Sequence, residues 1–140
     1  ALGFPAGKTY ALRNKYFKGF ASTGVDISVF AKQTERGLLF EGFMDFLSYL
    51  TAKQLIEPDC TTIVMNSSTM FHRVVEYLKS HPDITKLEYF RDRDELAGKT
   101  TGSDSLKSLQ EALLGVSITD QSNPYAAFKD LNDWWIDFSS

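Results

Sequence analysis

Residues 37–50 read GLLFEGFMDFLSYL, and two periodicities meet inside them. Leu38 to Phe40 is a short apolar run that stops at Glu41-Gly42. From there Phe43, Phe46, Leu47 and Leu50 recur at i, i+3, i+4 and i+7, the spacing of one helix face. A buried strand therefore hands over to an amphipathic helix, with Glu41 and Asp45 at the junction. In an open α/β sheet, ligands bind outside the carboxyl ends of the strands.

The same alternation continues downstream. The first strand, 38–41, leads into a helix over 43–55 that ends before Pro58. Thr62 to Met65 forms a second buried run, and Asn66-Ser67-Ser68-Thr69 supplies a turn and a helix cap. Phe71, Val74, Val75 and Leu78 mark the next helix, which stops at His81-Pro82. A third run, Lys86 to Arg91, opens onto Asp92-Arg93-Asp94-Glu95. A helix from 103 to 114 places Leu106, Leu109 and Leu113 together, Gly115 caps it, and Val116 to Ile118 is a fourth strand. Repeated strand–helix units predict an α/β fold with a mostly parallel four-stranded sheet flanked by helices. Ahead of it, TYALR at 9–13 and YFKGF at 16–20 read as a hairpin about Asn14-Lys15, and VDISVF at 25–30 alternates like a further strand. The expected organisation is a β-rich extension over 1–36 and a main domain over 37–140.

The chain has 140 residues, 43% of them apolar, enough for a real core and too many for a disordered segment. No run of eighteen apolar residues exists, so a membrane-spanning helix is not expected. No signal peptide is visible, and because the sequence does not begin with Met it is expected to belong to a longer protein. Cys60 is the single cysteine, which excludes an internal disulfide or zinc ribbon within these residues and makes a cytoplasmic setting the default. His72 and His81 lack partners at metal-ligand spacing. Charge is uneven, +4 over residues 1–36 and -7 over the remainder. Arg13, Lys15 and Lys18 at the hairpin could grip phosphate or simply face water.

If the first and third strands are neighbours, Glu41, Asp45, Asp92 and Asp94 converge at one sheet edge. An oxygen-rich cluster of this kind suits Mg²⁺, whereas taken singly each acid could be a helix cap. Trp134 and Trp135 near the C-terminal end could stack bases or pack over a sheet edge.

EGFMD at 41–45, together with Asp92-Arg93-Asp94 ahead of Ala97-Gly98-Lys99, resembles the two signature motifs of the Toprim family, a Rossmann-like fold. RNKYFKG, FEGFMDFLSYL and KDLND are most similar to primase-like proteins of phages and mobile elements. The resemblance implies that Glu41 is the acid/base residue or a metal contact. Asp92 and Asp94 would hold Mg²⁺ or Mn²⁺, with Asp45 in support. Gly42 would let backbone approach the site and Gly98 would ease entry to the next helix. Ser67, Ser68, Lys99 and Lys129 would join Arg13, Lys15 and Lys18 in binding phosphate. One spacing departs from the family pattern: Leu96 adds a residue before Ala97-Gly98, so that Glu95 could take a ligand role. Arg91 and Arg93 flank the aspartates and could pair with them. The activity implied is that of a DNA primase, a nucleotidyltransferase making RNA primers on single-stranded DNA during replication, with further domains such as a zinc ribbon or helicase. A nuclease, or a non-catalytic nucleic-acid-binding module, is the alternative.

Overall fold

The computed structural model describes residues 2–93 and 101–140. Its centre is a five-stranded sheet in the order β4-β6-β5-β7-β8, formed by Ser28–Phe30 (β4), Thr61–Val64 (β6), Arg36–Phe40 (β5), Lys86–Phe90 (β7) and Ser117–Asp120 (β8). The pairs β5–β6, β5–β7 and β7–β8 are parallel; β4 runs antiparallel to β6 at one edge. The run 25–30, read as part of the extension, thus gives the main sheet a fifth strand. An alternating pattern announces a strand but not its partner. Leu2–Ala6 (β1), Thr9–Arg13 (β2) and Lys18–Phe20 (β3) form a separate antiparallel sheet. The β2–β3 hairpin forms, but its connection is the four residues 14–17 and not Asn14-Lys15 alone, because Asn14 Oδ1 accepts the N–H groups of Tyr16 and Phe17, both at 2.8 Å.

Both faces of the central sheet are covered, which is why β5 is apolar without alternation. Leu38 and Phe40 point to one face, where they pack with Phe43, Phe46 and Leu50 of the helix Phe43–Ala52 (α1) and with Leu131 of Leu131–Ser139 (α4). Leu39 points to the other, against Val74 and Leu78 of Phe71–Lys79 (α2) and Leu109 of Thr101–Ala112 (α3). The helix after β5 and the helix after β7 therefore lie on opposite faces. Their divergence opens a crevice at the carboxyl ends of β5 and β7, the switch point where α/β sheets bind ligands. β1 is docked on α1 through Phe4, whose ring stacks on Phe43 at 5.2 Å. This contact brings the small sheet over the crevice. Trp134 packs against the core cluster on the α1 face of the sheet, with Phe138 stacked on it at 5.3 Å.

Candidate metal centre

Glu41 ends the β5 run and Asp92 follows β7, and the parallel register puts them side by side. One Glu41 oxygen, Oε2, accepts the Asp92 backbone N–H at 2.7 Å, and the other, Oε1, accepts the Tyr89 hydroxyl at 2.6 Å. Tyr89 has no exposed surface, and burial together with the adjacent Glu41 carboxylate pushes its hydroxyl far above the usual phenol range.

Asp45 sits in the first turn of α1, only 5% exposed. Its Oδ1 accepts the backbone N–H of Asn132 at 3.0 Å, and the Asn132 side-chain oxygen accepts the Ser48 hydroxyl at 3.0 Å. The start of α4 is thereby fixed onto α1. Asp130 caps α4, accepting the Asp133 N–H at 2.8 Å. Ligand oxygens of Asp45, Asp92 and Asp130 all lie within 4.8 Å of one another.

Three carboxylates this close and this buried cannot all ionise freely. Burial, then the charge of Asp130, pushes Asp45 up to about 8. Burial, then Glu41 and Asp45, pushes Asp92 up to about 9. Asp130 is raised as well, chiefly by burial. Asp92 Oδ1 is buried with no hydrogen-bond partner among the described residues. An orphaned acceptor within an all-oxygen donor set fits a hard divalent cation such as Mg²⁺ or Mn²⁺, whose charge would reverse the repulsion.

The cluster forms one wall of a cavity of about 410 Å³. Arg13, Lys18, Ser67 and Ser68 contribute to the remaining lining. Arg13 and Lys18 are direct cross-strand partners of β2 and β3, an arrangement of like charges that is unfavourable on its own and eased by an anion. Asn66 turns the chain out of β6 with φ 69° and presents Ser67 and Ser68 to the cavity. Its amide is held by the Asp26 carbonyl and the Ser28 hydroxyl oxygen, each at 2.9 Å.

Residues 38–135, from β5 into α4, match the Toprim-like family, and they make up well over half of the chain. The chain belongs to the Toprim-like family. No curated protein and no solved structure matches it. Toprim domains process nucleic acids and bind Mg²⁺ through acidic residues, and among the described residues Asp45, Asp92 and Asp130 form an acidic group that could hold such an ion. The small N-terminal sheet, with Arg13 and Lys18, lies outside the matched segment.

Of the residues picked out from the sequence, Glu41, Asp45 and Asp92 share the cavity wall, and Arg13, Lys18, Ser67 and Ser68 line the same space. Lys15 does not: its ammonium lies over the Tyr16 ring, 5.4 Å from the centroid. Lys129 is exposed outside the lining, and its carbonyl accepts the Arg93 N–H. Asp94, Glu95, Leu96, Gly98 and Lys99 lie outside the described residues. Gly42 has an extended backbone, φ -131°, that any residue adopts, and a Cβ there would meet only Asp45 Oδ2 at 3.8 Å. The glycine keeps the cavity open; it is not demanded by the turn. Arg91 pairs with Asp120 at 2.9 Å, and Arg93 donates to the Ser122 hydroxyl at 3.1 Å. Sequence reasoning missed Asp130 as a metal contact, although its place as cap before Leu131, Trp134, Trp135 and Phe138 marks a helix start. Asn132 falls within KDLND without being singled out, and Tyr89 carried no signal at all.

Proposed function

We propose that this Toprim-like chain catalyses Mg²⁺-dependent phosphoryl transfer of the primase type, joining nucleotides on a single-stranded DNA template. The observation that carries the reading is the convergence of Asp45, Asp92 and Asp130, with the orphaned Asp92 oxygen, in a cavity that the cationic pair Arg13 and Lys18 also lines. Asp45, Asp92 and Asp130 are the residues to hold the ion, with Asp94 as the family's second aspartate. When bound, Mg²⁺ would favour ionisation of the attacking hydroxyl and neutralise charge on the phosphoryl oxygens.

The chain's own groups supply the rest. Glu41 fixes the Asp92 backbone and, at the cavity wall, is placed to take the proton of an attacking hydroxyl. Asn132 orients Asp45 through its N–H. Arg13 and Lys18 hold substrate phosphates, with the hydroxyls of Ser67 and Ser68 beside them. The small sheet β1–β3 acts as a basic arm to the catalytic body, working in the cytoplasm with further domains such as a helicase or zinc ribbon.

Incubation with single-stranded DNA, ribonucleotides and Mg²⁺ tests this. Labelled primers are expected from the wild type and not from Glu41→Gln or Asp92→Asn. Shortened DNA without primers would mean that water is the attacking group and the protein a nuclease. Full biological activity in both variants would leave only a binding role.

A further inference from the structure

Glu41 lies between two donors, one in β7 and one just past its end. Tyr89 Oη donates to Oε1 at 2.6 Å and the Asp92 N–H donates to Oε2 at 2.7 Å. Both bonds are short for their types, as expected where the acceptor is a carboxylate. Tyr89 belongs to β7 and Asp92 follows its end, so the side chain just after β5 bridges two points three residues apart in the neighbouring segment. Tyr89 is fully buried, packed in the core cluster on the α2–α3 face, and its hydroxyl is the part that reaches the site. Phenylalanine would satisfy the same packing. A buried hydroxyl is costly unless paired, and this one is met by the Glu41 carboxylate, with the Ser105 side chain of α3 beside it.

We propose that Tyr89 is a positioning residue for the metal centre, acting through Glu41. The clamp fixes the Glu41 carboxylate in rotation and translation, and Glu41 in turn fixes the backbone from which the Asp92 side chain enters the cavity. Without the hydroxyl, Glu41 loses the partner of Oε1 and can swing about its side-chain torsions, and the Asp92 backbone loses its fixed anchor. Partners that orient ligands in this way typically change metal affinity by about 10–100-fold when removed. The inference rests on the metal reading above and adds a residue to it.

Mn²⁺ titration followed by electron paramagnetic resonance tests it without requiring turnover. Tyr89→Phe is expected to weaken Mn²⁺ binding by about tenfold or more while retaining the wild-type circular dichroism spectrum. Val74→Ala, in the core on the α2–α3 face and away from the site, is the control for lost stability alone: it lowers the melting temperature and leaves Mn²⁺ affinity unchanged. Because Tyr89 acts through Glu41, adding Tyr89→Phe to Glu41→Ala is expected to weaken binding no further. Equal affinity in wild type and Tyr89→Phe would overturn the assignment. So would an undiminished loss in the Glu41→Ala background, or an equal loss in Val74→Ala. A wild type that binds no Mn²⁺ would overturn the metal reading and this inference with it, whereas a tight-binding wild type matched by Tyr89→Phe overturns this inference alone.

Discussion

Asp45 in α1 accepts the backbone N–H of Asn132 in α4 at 3.0 Å, a bond between residues 87 positions apart. It joins the first turns of two helices, so one carboxylate of the cluster is placed by the helix that brings another, Asp130. The repulsion among the acids is thereby built into the packing of α4 on α1, and relief by a cation follows from the same contacts.

The first consequence is an unusual dependence on pH. Asp45 and Asp92 rise to about 8 and about 9 in the folded chain, against about 3.9 when unfolded. The folded state thus holds protons that the unfolded state has released. This stabilising contribution is complete below about pH 4 and is lost as pH rises through the folded-state values. Asp26 and Asp120, lowered by Arg73 and by Ser122 with Arg91, act oppositely and lose their contribution under acid. Thermal melts without metal are expected to show falling stability from pH 5 to pH 9. Saturating Mg²⁺ should flatten or invert that slope, because the ligands then bind in their ionised form. Identical slopes with and without metal would contradict the cluster's role.

Asp130→Asn separates capping from metal binding. Asparagine caps a helix as well as aspartate does, so the Asp133 N–H keeps its partner. The variant removes one charge from the cluster, and the metal-free protein is expected to melt at a higher temperature than the wild type. The gain in melting temperature on adding Mg²⁺ should shrink in the same variant. Both changes are read by differential scanning fluorimetry. A destabilised metal-free variant with an unaltered Mg²⁺ gain would mean that Asp130 is a cap and nothing more.

Arg13 and Lys18 line the same cavity as the acids, while Lys15 leans on Tyr16. The double variant Arg13→Gln, Lys18→Gln is expected to bind a single-stranded oligonucleotide more weakly. The slope of log K against log salt should fall by about 1.4 for the two lost phosphate contacts. Lys15→Gln should match the wild type. Fluorescence anisotropy at several salt concentrations distinguishes the pair from the single residue.

Much of this arrangement is readable in the chain before any coordinates, and the reasons are local. The switch from the run Leu38–Phe40 to the helical spacing of Phe43–Leu50 marks a strand–helix junction, and Asp92 after a second such strand marks another. Parallel pairing then forces both acids to one edge. β1 escapes notice because Gly3 and Pro5 dilute its signal, as suits an edge strand. Asp130 looks like any helix cap, since nothing in its neighbours encodes the distance to Asp45. Tyr89 reads as one more apolar residue of a buried strand. The facing of its hydroxyl toward Glu41 depends on register with β5, where Leu39 is its direct partner.

Every role assigned to the site requires that the acid cluster hold a divalent cation. Anomalous diffraction from a crystal soaked in Mn²⁺ reads this directly. A single strong peak among the carboxylates of Asp45, Asp92 and Asp130, absent in Asp92→Asn, is the expected result. A soaked crystal with no peak at the cluster, or with Mn²⁺ bound only elsewhere on the surface, would contradict it.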